Sequence, residues 1–255
     1  MTRKIPHVVR ELCLGLPETE QVLSHGTPDF RVRGKTFASY CVNHHGDGRV
    51  ALWLHSPAGA QQLHTEMEPQ HYFVPPYVGP KGWLGVELNK GLDWETISRR
   101  VLEAYRHVAP AELADITPDS IDLEPPRVDM RPEEIDSFLE AGVAEKLERL
   151  REISERLPET SPASQFGNPV WKAGKKTFVS THCYRGRLNF EFWVGAEQQS
   201  MLTEDPRYTI PAYLGHNGWI DLDVQEYVDW QEVEGLLLQS YRHFALKRML
   251  KELDK

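Results

Sequence analysis

Five histidines crowd one stretch of the chain, His44, His45, His55, His64 and His71, and neutral imidazole is the commonest metal ligand among side chains. A metal centre also needs Cys or carboxylate donors at spacings that a turn or a helix face brings together. No such set surrounds these five, and near the matching hairpin later in the chain stand other residues, such as Tyr184 and Arg185. Surface histidines and no metal are therefore expected. Gly34-Lys35-Thr36 invites a phosphate-loop reading, but that pattern needs a glycine about five residues before the Gly-Lys pair. Asp29 stands there, and Gly174-Lys175 is followed by Lys176 rather than by a hydroxyl residue. A turn at the start of a strand accounts for both. Cys13, Cys41 and Cys183 are odd in number and unpaired by spacing, which points to reduced, structural thiols. No nucleophile and base pair up, so the expectation is a non-enzymatic chain without a cofactor.

Recognition chemistry is better represented, because candidate contact residues occur twice. Tyr77-Val-Gly79-Pro-Lys-Gly82-Trp83 recurs as Tyr213-Leu-Gly215-His-Asn-Gly218-Trp219, and Tyr105-Arg106-His107 recurs as Tyr241-Arg242-His243, all displaced by 136 positions. Further back, Trp53-Leu54 pairs with Trp193-Val194, Lys35-Thr36-Phe37 with Lys176-Thr177-Phe178, and Leu16-Pro17-Glu18-Thr19 with Leu157-Pro158-Glu159-Thr160. The chain is a tandem duplication of a domain-sized unit. Arg31, Arg33 and Lys35 fall at the same hairpin as Lys172, Lys175 and Lys176, and are candidate phosphate contacts. His107 and His243 each follow Tyr-Arg at a helix end, where a basic residue complements the helix dipole.

The elements that position these residues follow from periodicity. Ile5, Val8, Val9, Leu12 and Leu16 have helical spacing, and Pro17 stops the run. Alternation puts Val50, Leu52 and Leu54 on one strand face and Arg49, Ala51 and Trp53 on the other, and likewise sets Leu84, Val86 and Leu88 against Trp83, Gly85 and Glu87. Pro57 suits the first turn of a short helix reaching Met67. Asp93 and Asp229 cap long helices, and Asp229-Trp-Gln-Glu232 has the form of a capping box. Repeat two follows the same plan, with strands at Phe178 to Tyr184, Leu188 to Val194 and Trp219 to Val224. Hairpin connections and two amphipathic helices per unit predict α+β domains, each an antiparallel sheet with helices on one face. The expected division is 1–110, an acidic connector over 111–142 with a short helix, and 143–255.

These residues resemble the MmcQ/YjbR family: the Leu-Pro-Glu-Thr end of the first helix, the Gly-x-Pro turns at Gly26 and Gly167, the Lys-Thr-Phe strand starts, the Tyr-x-Gly-x-x-Gly-Trp segment and the closing Ser240-Tyr-Arg-His243. The resemblance covers roughly residues 5 to 108 and 146 to 244. It implies a sheet and helices arranged as in secretion chaperones, and a double-wing DNA-binding role, with no catalytic residues to carry over.

Composition limits the choice of partner. The formal net charge is −9, and the segment 111–140 alone carries −8, against +1 before it and −2 after it. Neither repeat has the basic excess of a strong phosphate binder. The connector is expected either to lie across a basic surface or to be pinned by Ile116, Ile121 and Leu123 with its acids in water. In a two-layer domain the face opposite the helices has no cover, so Trp53, Tyr77, Trp83, Trp193, Tyr213 and Trp219 are candidates for a partner or ligand surface, or for packing by the other repeat or the connector. DNA is one expected partner; the alternative is a chaperone-like or small-molecule-binding module using the aromatic sheet face. With no membrane span and no signal-peptide pattern, a cytoplasmic protein is expected.

Overall fold

The computed structural model describes residues 3–184 and 186–255. Met1, Thr2, Arg185 and the side chain of Tyr184 lie outside that description, and so does the comparison of Tyr184 and Arg185 with the early histidines.

Two compact units divide the chain, Met1–His44 with Gly48–Ile135, and Asp136–Lys255 with His45–Asp47. The first runs α1 (Ile5–Leu14), β1 (Thr19–Ser24), β2 (Thr27–Val32), β3 (Lys35–Val42), β4 (Val50–Leu54), α2 (Ala60–Met67), β5 (Tyr72–Phe73), β6 (Leu84–Glu87), α3 (Trp94–Val108), α4 (Ala111–Asp115) and α5 (Pro132–Ile135). The second runs α6 (Ala141–Glu155), β7 (Thr160–Gln165), β8 (Asn168–Ala173), β9 (Lys176–Tyr184), β10 (Arg187–Trp193), α7 (Ala196–Leu202), β11 (Tyr208–Thr209), β12 (Trp219–Asp223), α8 (Trp230–Phe244) and α9 (Lys247–Leu253).

Each unit forms one antiparallel six-stranded sheet, ordered β1-β2-β3-β4-β6-β5 in the first and β7-β8-β9-β10-β12-β11 in the second. The two orders correspond strand for strand, as a duplication requires. Inner-face residues behave as alternation predicts: Val50, Leu52, Leu54, Leu84 and Val86 are buried with Ile5, Val9 and Leu12 of α1 and Ile97, Val101 and Tyr105 of α3. In the second unit Phe190, Phe192, Ile220 and Leu222 are buried with Leu150 of α6 and Val233, Leu237 and Tyr241 of α8. Asp93 accepts from the Thr96 amide at 2.8 Å, capping α3. Asp229 accepts from the Gln231 and Glu232 amides at 2.9 and 3.3 Å. The other half of the predicted capping box does not form: the Glu232 carboxylate is drawn instead to Arg207 and to the Tyr208 hydroxyl.

One lock appears identically in both units. The Tyr105 hydroxyl donates to the Pro17 carbonyl at 2.7 Å, and the Tyr241 hydroxyl to the Pro158 carbonyl at 2.7 Å. Each ring meets a β-strand phenylalanine edge-on, Phe37 at 5.5 Å and Phe178 at 5.4 Å. The recurring Leu-Pro-Glu-Thr and Tyr-Arg-His motifs are thus two ends of one contact.

The connector is more structured than its composition predicts. Leu113 of α4 is buried in the first core, and Ile121, Leu123, Met130 and Ile135 pack against it, while Ile116 is exposed. Its acids also meet cations of the first unit: Glu112 meets Arg33, Asp119 meets Arg106 and Glu134 meets Lys4. The segment is therefore pinned by its apolar residues and partly neutralised by the surface beneath it. The short helix expected in the connector divides into α5 and a 3-10 turn, Ser137–Leu139, capped by Asp136. Among the described residues no helix is long and apolar enough to cross a membrane.

If the tyrosine lock is structural, Tyr105→Phe and Tyr241→Phe should each lower unfolding free energy by about 1 kcal/mol, the usual cost of losing one such hydrogen bond. Denaturant unfolding measures this, and an unchanged midpoint in either variant would show that its hydroxyl bond adds nothing.

Candidate functional site

The basic hairpins and the sheet face remote from the helices hold the candidate residues. In the first unit, the cations at the β2–β3 turn are engaged. Arg31 lies 3.5 Å from Asp29 and donates to Thr36, and Arg33 donates to Glu18 at 2.6 Å and to Glu112 at 2.7 Å. Glu18 is held there in a left-handed conformation, with φ of 51°, which a non-glycine residue adopts at a cost of about 1 kcal/mol or more. Lys35 is exposed. In the second unit, Glu159 has the same φ of 51° but is held by Arg248, which donates at 2.8 and 2.5 Å. The hairpin cations are thereby left out of that pair: Lys175 and Lys176 are exposed and Lys172 is half-buried.

The aromatic loops are fixed by a second duplicated contact. The Gln61 amide of α2 donates to the carbonyls of Gly79 and Trp83 at 2.8 and 2.6 Å, and Gln199 of α7 donates to Gly215 and Trp219 at the same two distances. A Cβ at Gly79 would lie 2.5 Å from Val74, and one at Gly215 would lie 2.2 Å from Ile210, so glycine lets each loop close on its own aliphatic residue. On these pinned loops Tyr77 and Tyr213 remain 65% and 77% exposed, and Val74 and Ile210 55% each.

The tryptophans are only partly available as a surface, and their pairing differs from the one read in sequence. On the first sheet's outer face Trp53 is buried with Cys41 and Ala51, and Phe73, Val78 and Trp83 pack against them. The cover comes from the unit's own edge strand and loop. Cross-strand register puts Ser39, Trp53, Gly85 and Phe73 in one row, and Ser180, Glu191, Asp221 and Thr209 in the matching row. Trp53 therefore corresponds to Glu191, not to Trp193, because β9 to β10 is a tighter hairpin than β3 to β4. Trp193 occupies the position of His55 instead. It stacks on His243 at 3.5 Å with an interplanar angle of 14°, as His55 meets His107 at 5.0 Å. The terminal histidines of the long helices thus have ring partners, a role their spacing did not reveal. Trp219 is buried against Phe244, 5.5 Å between centroids.

What is apolar on this face of the first unit is titratable in the second. His182, Glu191 and Asp221 come together there, and they are the only group of three or more metal-type donors among the described residues. Burial pushes the Asp221 carboxyl up to about 8, with the nearby Glu191 adding to it, and raises Glu191 as well, while burial lowers His182. The early histidines form no comparable group among the described residues; His55 and His64 have depressed pKa values, chiefly through desolvation. The sequence reading passed over the triad because its members lie on three strands with no local motif. Their common outward phase, and the register of β9, β10 and β12, was the signal that could have found them.

The YjbR family model matches residues 14–107 and again residues 155–243. No curated protein and no solved structure matches the chain.

Desolvation also lowers the pKa of His243 in its stack. A histidine held neutral by the fold supports stability at high pH, and the contribution is lost as pH falls through its ordinary value of about 6.5 toward the lower folded value. His243→Phe, which keeps an aromatic stack, should remove that part of the decline; thermal melts across the range would contradict this if parent and variant lost stability in parallel.

Proposed function

The chain belongs to the YjbR family in two tandem copies, and on that premise we propose that it works by binding rather than by catalysis, with duplex DNA as the ligand of the second unit. The observation that carries this reading is the β8–β9 turn, where Lys172, Lys175 and Lys176 enter no ion pair among the described residues. Long ammonium side chains at an exposed turn suit phosphate, which rewards charge placed near the backbone more than shape. The equivalent turn of the first unit is a poorer candidate, since Glu18 and Glu112 already hold Arg33. The outer face of the second sheet is a poorer candidate, since Glu191 and Asp221 are buried there and Arg187 is already held by Asp223. With about three phosphates neutralised, log affinity should fall with log salt at a slope near −2.7. Lys175→Glu with Lys176→Glu should weaken binding at low salt by about tenfold or more and flatten the slope by about two. Unchanged affinity and slope in that variant would reject the hairpin as the contact.

A second reading rests on the exposed aromatic and aliphatic pair that both copies present on glutamine-pinned loops, Val74 with Tyr77 and Ile210 with Tyr213. Apolar side chains displayed on ordered backbone at matching positions suit a protein segment or an apolar small molecule. An environment-sensitive apolar dye should light up on the parent and lose signal with Tyr77→Ser and Tyr213→Ser together. Signal of equal strength on that variant would remove the reading.

A further inference from the structure

The second unit buries two carboxylates where the first unit places aromatic rings, and this substitution has a direct physical consequence. In the first unit, Cys41, Trp53 and Gly85 occupy the sheet positions of His182, Glu191 and Asp221, and Phe73 lies so close over Gly85 that a Cβ there would meet its ring at 2.5 Å. In the second unit Thr209 replaces Phe73, Glu191 replaces Trp53, and the space of two rings is given to acids. Asp221 and Glu191 are each only 7% exposed. Oδ1 of Asp221 is buried with no hydrogen-bond partner among the described residues, and the Asp221 side chain as a whole is 9% exposed.

Burying a carboxylate is tolerated when a cation or several donors compensate it. Elsewhere on this face the rule is kept in both units: Arg49 meets Glu87 at 2.9 Å, and Arg187 meets the equivalent Asp223 at 2.5 Å. Neither arginine contacts Glu191 or Asp221 in the ion pairs of the described residues. Ser180 stands opposite Glu191 on β9, and the nearest cationic candidate is His182, whose Nε2 lies 3.7 Å from Oδ2 of Asp221.

We infer that His182, Glu191 and Asp221 form a site for a divalent transition-metal ion of the zinc type. Their ligand atoms all lie within 4.8 Å of one another. Zinc at bond lengths near 2.0–2.2 Å needs tetrahedral ligands roughly 3.4 Å apart, so small side-chain rotations bring the three donors in. One imidazole and two carboxylates are a donor set of intermediate hardness, which favours zinc and its first-row neighbours over the all-oxygen shells that calcium and magnesium take. His182 is 27% exposed at its side chain, which gives the ion an entrance from solvent and leaves room for a water in the remaining position. The ion would supply the positive charge that the arginines supply to Glu87 and Asp223. The site goes beyond the DNA-binding reading and does not depend on it.

The test uses the full chain, stripped with a chelator and titrated with zinc chloride against a chromophoric competitor. One tightly bound zinc per chain is expected, with a rise in melting temperature on binding. His182→Ala and Asp221→Asn should each lower zinc affinity by more than the roughly 10–100-fold that loss of an outer-shell partner costs. Asp221→Asn keeps the side chain's size and removes its acid, which should leave the metal-free chain at least as stable as the parent, so it separates lost binding from lost folding. Should His182→Ala fail to fold, cobalt(II) added to the parent decides: intense visible bands of four- or five-coordinate cobalt, absent in Asp221→Asn, uphold the site. Zinc affinity and stoichiometry unchanged in Asp221→Asn, or no zinc bound by the parent at micromolar free metal, would overturn it.

Discussion

A buried tyrosine hydroxyl bonded to a proline carbonyl holds the closing helix of each unit to the end of its first helix. Because Tyr105 and Tyr241 are fully buried and also sit edge-on to Phe37 and Phe178, the bond fixes the depth of α3 and α8 on their sheets. That depth sets where His107 and His243 end up, and so which rings they meet. It also orients the turn carrying Glu18 or Glu159, each clamped by an arginine in a left-handed backbone conformation. Most residues that the two copies share are spent on this frame and on the glutamine-pinned loops. Their repetition is explained by packing and hydrogen bonding, without reference to a ligand.

Chemistry lies where the copies differ. The first unit seals its outer face with Trp53, Phe73 and Trp83 and ties its hairpin arginine to two acids, one of them from the connector. Among the described residues the second unit leaves the hairpin lysines out of ion pairs, and it replaces the aromatic seal with His182, Glu191 and Asp221. Duplication relaxes the demands on one copy, and here the frame has stayed constant while the charged groups moved. The −8 charge of 111–140 fits the same division, because Glu112, Asp119 and Glu134 find partners on the first unit.

Much of the frame was legible in the chain. The repeat, the alternating strands, the helix stripes and the two aspartate caps all rest on local periodicity, which tertiary packing had no reason to override. Strands β1 and β7 were not legible: no residue of Thr19–Ser24 or Thr160–Gln165 is fully buried, so no apolar alternation marks them, and the second holds Pro162. The Trp53 and Trp193 correspondence failed because identity in the alphabet outweighed a change in hairpin length that only strand register reveals. Alternation puts Glu191 and Asp221 on one sheet face, but only the strand register sets them opposite each other on adjacent strands. The apolar loop residues were visible as motif members, but their exposure depends on Gln61 and Gln199, whose reach across 18 to 22 and 16 to 20 positions no local rule encodes.

One frame carries two units, and the binding chemistry we propose belongs to the second. Amide chemical-shift mapping of the isotope-labelled full chain, with duplex DNA and zinc added in turn, tests it most directly. DNA-induced changes should centre on Lys172 to Lys176 and zinc-induced changes on His182, Glu191 and Asp221, with Lys35, Cys41, Trp53 and Gly85 unmoved. Changes of equal size at those first-unit positions, or changes spread evenly over both units, would contradict it.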